Sequence, residues 1–272
     1  MNRRGAFIIT IAAAGLSACA GTPAALRPQA VQAAAPEAKG YLTGPLIQAL
    51  ADAVPPPPAP GSPTDLADKA RSNQFKTLED SDRWLLATAH AELRPPLALQ
   101  HFDCALGARL GSAATPNLNR LMQRLFDDSD AAAERVKARG FRARPVGDDP
   151  ERRPCQRVSE AGRRGASYPS GSSTVATVYG EAFAALDPER ATEARRIAHE
   201  MGLSRLICGM HYPSDVAAGE TLGKAVFDAA AATPGFDADL AAARAELAAV
   251  RATGLTSPGC AAERLALAAP LP

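Results

Sequence analysis

The sequence predicts an all-α protein built as a single helical-bundle domain. Three observations predict it. Alanine dominates a chain of 272 residues in which aromatic residues make up only 5%, and that composition favours packed helices over sheet. The alternation expected of strands is nearly absent. A cap residue followed by proline, the signal of a helix start, recurs along the chain. Hydrophobic residues at 46% and charged residues at 22% are ordinary for a globular protein, and this length suffices to bury a real core. Thirty basic residues against 29 acidic ones leave a formal charge of +1, so no global field points to nucleic acid or an acidic membrane as partner.

In chain order, Arg3 and Arg4 precede the apolar run Ala6 to Leu16, which reads as a secretory signal over residues 1–20. The run is too short for a stable bilayer anchor. Leu16-Ser17-Ala18-Cys19 resembles a bacterial lipobox, in which Cys19 would be lipidated and become the first mature residue. The alternative is cleavage after Ala20 and a free protein. Either reading places the mature chain in the periplasm, the lipidated form anchored to the outer membrane.

Residues 21–62 read as an Ala/Pro-rich tether and extended lead-in, with a polyproline stretch from Pro55 to Pro60. The helical domain follows over residues 63–253, and 254–272 is a tail. Ser62 can cap a helix that starts at Pro63, and Trp84, Leu85 and Thr88 belong to a second. Thr115-Pro116 opens another, with Leu118, Leu121, Met122, Leu125 and Phe126 on one face. Further helices are expected at 173–186, 189–203, 215–233 and 237–252.

Apart from Cys19, the cysteines are Cys104, Cys155, Cys208 and Cys260. In an oxidising compartment an even count suggests two disulfides, with three pairings open; buried free thiols are the alternative. No Cys-x-x-Cys pair or Cys/His cluster suggests zinc, and neither metal nor cofactor is expected.

Three clusters carry chemistry. Lys137 and Arg144, before Pro145, are two helical turns apart, so both would project from one face of a helix that the proline then stops. Arg135, Arg139 and Arg142 crowd the same stretch and dilute the signal. Ser167-Tyr168-Pro169-Ser170-Gly171-Ser172-Ser173-Thr174 enters a helix, where free N–H groups make an anion site, or where serine merely caps. Ser204-Arg205 precedes His211-Tyr212-Pro213-Ser214-Asp215. The four-residue spacing of His211 and Asp215 would let the carboxylate reach the imidazole on a helical turn and fix its tautomer.

Together, Lys137-x6-Arg144-Pro145, Pro169-Ser170-Gly171 and Ser204-Arg205-x5-His211-x3-Asp215 resemble the tripartite signature of the phosphatidic acid phosphatase type 2 and haloperoxidase superfamily. Within it the chain is most similar to the class A bacterial acid phosphatases, over about residues 41 to 250. The resemblance implies the helical bundle of that superfamily and a metal-independent phosphomonoesterase acting on small phosphomonoesters. His211 would attack phosphorus and form a phosphohistidine, oriented by Asp215. Lys137, Arg144, Arg205, Ser170 and the Gly171 N–H would hold the phosphoryl oxygens. A homodimer is also implied. Motif segments that must converge favour a Cys155–Cys208 pair, leaving Cys104 with Cys260.

One position departs from the pattern. The family's second motif ends in histidine, and Ser172 stands there. That histidine protonates the leaving alcohol and later activates water, which serine cannot do near neutral pH. His90 and His101 lie far upstream of the motifs, and His199 matches no catalytic position. Asp148 and Asp149 are candidate substitutes, as carboxylic acids of raised pKa. An active phosphatase that is slow or selective for good leaving groups is therefore expected, with a phosphate-binding pseudoenzyme as the alternative. A vanadium haloperoxidase would need the same missing histidine. A membrane lipid phosphatase would need spanning helices that the sequence lacks.

Overall fold

In the computed structural model residues 39–110 and 114–272 are described; the signal segment, Cys19 and the tether up to residue 38 lie outside the described residues. Among the described residues there are α-helices and short 3-10 turns but no strand. Local capping sets the helix starts. Ser62 Oγ accepts the Asp65 N–H to open α2 (Pro63–Gln74), and Ser81 Oγ accepts the Trp84 N–H to open α3 (Asp82–Ala89). After the short α4 (Asp103–Leu106), proline occupies the first position of α5 (Pro116–Lys137). Leu118, Leu121, Met122, Leu125 and Phe126 are all buried along α5, on the face their spacing predicts.

The short α6 (Pro145–Asp148) and α7 (Glu160–Arg164) lead into α8 (Gly171–Leu186). Helix α8 is buried nearly all round, as the axis of a bundle must be. It packs against α5, α9 (Ala191–Ile207) and α10 (Pro213–Ala231), while α11 (Pro234–Ala252) covers α5. The four long helices after residue 170 begin or end two to four residues beyond the expected limits. Ser170 caps one of them early, and Pro213 and Pro234 take the first helical position of two others. Two glycines let α10 lie against the first turns of α8. A Cβ at Gly223 would stand 2.5 Å from the Thr174 carbonyl oxygen, and one at Gly219 would meet that of Ser170. This contact sets the start of α10 beside the start of α8.

The lead-in is not extended throughout: it contains α1 (Gly44–Asp52), which packs on α5 through Ile47 and Ala51. The residues just before α1 are docked by a buried carboxylate, Asp128, whose oxygens accept the N–H groups of Tyr41 and Leu42 at 2.7 and 3.2 Å. The Tyr41 hydroxyl donates to Asp239 on α11 at 2.7 Å. The segment read as a tail likewise holds α12 (Cys260–Ala268), packed on α3. Cys260 is bonded to Cys104, and Cys155 to Cys208. No helix among the described residues is long and apolar enough to cross a membrane.

Candidate active site

Helix α5 ends at Lys137 and does not continue to Arg144, so the two cations do not share a helical face. Arg144 is extended, with φ −81° and ψ 154°, and Pro145 begins a helix instead of stopping one. They converge all the same. Lys137 from the end of α5, Arg144 before α6, Gly171 and Ser172 on the first turn of α8, Arg205 near the end of α9 and His211 before α10 line one cavity of about 360 Å³.

His211 is 2% exposed. Its Nδ1–H donates to the Ser167 carbonyl oxygen at 2.7 Å, which leaves the lone pair on Nε2. The Arg144 guanidinium stands 3.4 Å from Nε2. Burial, then the charges of Arg144, Arg205 and Lys137, hold the imidazole well below its usual pKa. The ring is therefore neutral, with a fixed tautomer.

Asp215 does not orient the ring directly. Its Oδ2 lies 3.9 Å from His211 Nδ1. The i,i+4 relation holds only within a helix, and α10 begins after His211. The carboxylate is instead fixed by the Tyr212 N–H at 2.7 Å, the Ser167 hydroxyl at 2.5 Å and Arg142 Nη1 at 2.7 Å. It therefore acts on His211 through Ser167, whose hydroxyl it holds while the same residue's carbonyl holds the ring. Burial pushes its pKa up, while Arg142 and these donors oppose the shift.

Arg142, read as one more arginine in a basic stretch, is the hub of this support. It is buried and also donates to Asp65 at 3.1 Å and Asp68 at 2.9 Å, both on α2. Its guanidinium lies 4.4 Å from the centre of the Tyr212 ring. Arg142 keeps its own charge because Asp215, Asp68 and Asp65 more than offset the burial that opposes it.

The cavity is strongly cationic. Arg205 is 3% exposed, and burial and then the charge of Arg144 push it down to about 10. Among the described residues its one polar side-chain partner of ordinary strength is Gln156 at 2.9 Å, and its Nε is buried without a partner. The Nε of Arg144 is likewise unpartnered. Among the described residues neither guanidinium has a carboxylate partner, so an anion in the cavity would supply the missing charge. Lys137 is paired with Glu134 at 2.6 Å. A Cβ at Gly171 would lie 3.4 Å from the Lys137 ammonium, which places that charge against the start of α8.

Ser170 is not brought to the cavity. It is fully buried, and its hydroxyl caps α8 by accepting the Ser173 N–H at 3.1 Å and the Ser173 hydroxyl at 2.8 Å. Ser172 does line the cavity. The candidate substitutes for a histidine there are elsewhere: Asp148 accepts the Tyr212 hydroxyl at 2.7 Å and Asp149 pairs with Lys76. His199 bonds Glu220 at 2.7 Å, and His101 bonds the Glu92 carbonyl at 2.9 Å. His90 is nearer than its position in sequence suggests, 2.9 Å from the Ser204 hydroxyl, yet it does not line the cavity. Glu92, Arg94 and Asp130 do line it, and sequence reasoning missed them. Asp130 had a signal, standing seven residues before Lys137 on one helical face. Among the described residues no cluster of three or more His, Cys, Asp or Glu side chains could hold a metal ion.

The model of the PAP2 superfamily matches residues 129–234, the span holding Lys137, Arg144, Arg205 and His211. An acid phosphatase of Zymomonas mobilis subsp. mobilis is 32% identical over 201 residues, covering 74% of this chain and 76% of that protein. A non-specific acid phosphatase of Salmonella typhi is 31% identical over 197 residues, covering 71% and 78%. One of Providencia stuartii is 26% identical over 196 residues, covering 72% and 79%.

Proposed function

The chain belongs to the PAP2 superfamily and is a phosphatase of the acid phosphatase kind, and from that premise we propose an exported class A enzyme that hydrolyses small phosphomonoesters through a phosphohistidine. The observation that carries this reading is the state of His211, a neutral ring with its lone pair on Nε2, beside guanidiniums that lack a carboxylate. In the first step Nε2 attacks phosphorus and the bond to the leaving oxygen breaks. Arg144, Arg205, Lys137 and the N–H groups that open α8 hold the phosphoryl oxygens and the charge that builds on them. Water then attacks phosphorus, the P–N bond breaks, and the lone pair returns to Nε2. The signal segment would deliver the enzyme to the periplasm, with Cys19 as its lipid anchor and the two disulfides bracing the exported domain. A homodimer fits the same reading.

Ser172 favours a second reading, a phosphate-binding protein without turnover, since a hydroxyl is a poor proton donor near neutral pH. Phosphate release from p-nitrophenyl phosphate in EDTA separates the two. Turnover is expected to persist from about pH 7.5 down to about pH 5, because a lowered imidazole pKa keeps the lone pair available through the range where ordinary histidine titrates. Absence of release, together with measurable phosphate binding, would establish the second reading. Ser172→His is expected to raise alkyl phosphate turnover more than aryl phosphate turnover, since phenolates leave without a proton. An equal gain on both substrates would refute the leaving-group argument.

A further inference from the structure

Breaking the bond to an alkyl leaving group produces an alkoxide that must be protonated, and Ser172 is unsuited to that transfer. We propose that Asp130 is the general acid of this site, an assignment that rests on the phosphatase reading above. As the P–O bond breaks, the Asp130 carboxyl proton passes to the leaving oxygen. Water then attacks phosphorus, the P–N bond to His211 breaks, the proton this water gives up passes to solvent, and solvent reprotonates the Asp130 carboxylate, so both groups return to their starting states.

The geometry places Asp130 for this. It precedes Lys137 by seven residues on α5, with Ala133 between them, so the three share one face. Helix α8 begins against that face, because a Cβ at Gly171 would lie 3.7 Å from Ala133 Cβ and 3.4 Å from Lys137 Nζ. Asp130 and Ser172 therefore border the same cavity as the nucleophile. His211 forms its buried end, whereas Asp130 is exposed. In-line displacement puts the leaving group opposite the nucleophile, and hence towards the open end.

Its carboxylate is also uncommitted where its competitors are held. No hydrogen bond or ion pair of Asp130 is present among the described residues, although Lys137 and Arg94 act on it through space. Glu134 is paired with Lys137, and Glu92 accepts the Arg94 N–H at 2.8 Å. The Arg94 guanidinium lies over the Phe126 ring, 5.4 Å from its centre. The charges facing Asp130 are Asp127, Glu134 and Lys137 from its own helix and Glu92 and Arg94 from the loop after α3. Arg144, Arg205 and His211 stand across the cavity. Partial burial, then Glu134, pushes the Asp130 pKa up, against Lys137 and Arg94, and an acid moved towards the working pH holds its proton longer.

The test measures Asp130→Asn, Ser172→His and the double variant on glycerol 2-phosphate and p-nitrophenyl phosphate, with His211→Ala as reference. Asp130→Asn is expected to lower alkyl turnover by about 10²- to 10⁴-fold, and aryl turnover by about tenfold or less. In the Ser172→His background the same change is expected to cost alkyl turnover far less, because the imidazole there donates the proton. Equal losses on both substrates, or the same alkyl loss in both backgrounds, would overturn the assignment. Those results would leave the phosphatase reading standing so long as His211→Ala removes aryl turnover. Aryl turnover that survives in His211→Ala would overturn the phosphohistidine step, and absence of aryl turnover in the wild type would overturn the phosphatase reading itself.

Discussion

Replacing His211 with alanine is expected to lower turnover of every phosphomonoester by about 10⁴-fold or more, because the ring supplies the lone pair that forms the bond to phosphorus. The other histidines of the described domain do not line the cavity. Phosphate binding should survive, since Arg144, Arg205 and Lys137 come from other segments, and Arg144 keeps its bond to the Met210 carbonyl oxygen at 3.2 Å when the ring is gone. The ring's removal leaves the Ser167 carbonyl without its donor, a cost of about 1–3 kcal/mol if that oxygen stays dry. Inorganic phosphate titrated calorimetrically into the variant should therefore bind within about tenfold of the wild-type affinity, a change of about 1.4 kcal/mol. Retained turnover would remove His211 from the mechanism, and lost binding would mean that the ring also organises the clamp.

Arg142→Gln is expected to do more damage to the fold than any change at the cavity surface. Breaking a buried ion pair by removing one partner costs about 3–5 kcal/mol, and this guanidinium serves Asp65, Asp68 and Asp215 together. The thermal midpoint should fall accordingly. The turnover number should fall as well, with a smaller effect on KM, because Asp215 steadies the residue whose carbonyl aims His211 and does not touch the phosphate clamp. The sign of the pH effect follows from Asp65, whose pKa burial would raise but the Gly61 N–H, Lys69 and Arg142 together lower. Its support is present above the unfolded pKa and is lost as pH falls through the lower folded one. The gap between wild type and variant should therefore narrow in acid, below about pH 4. An unchanged thermal midpoint at neutral pH would show that the three carboxylates do not need this cation.

What the sequence made legible was what short-range physics decides. Ser62-Pro63 and Thr115-Pro116 mark helix starts because the fixed φ of proline, and at Ser62 a side-chain cap, act within one turn. Lys137, Arg144, Arg205 and His211 were legible as a set through their order and spacing, and all four reach one cavity. Long-range pairing was hidden. Tyr41 is docked by partners 87 and 198 residues away, and nothing beside it announces Asp128 or Asp239. Arg142 depends on carboxylates from α2 and α10, so its neighbours in sequence made it look ordinary. The spacing of His211 and Asp215 misled for the opposite reason: a helical rule was applied across a helix boundary, to a residue that stands just before the Tyr212 cap of α10.

The ring of the proposed nucleophile hangs from a peptide oxygen, that of Ser167. No codon specifies a main-chain carbonyl, so point mutation cannot delete the acceptor that sets the tautomer of His211. Heredity can only loosen or tighten the segment that carries it, through Ser167, Asp215 and Arg142. A lineage on this scaffold can thus drift in catalytic rate by small steps, changing how steadily the ring is aimed while the aim itself persists.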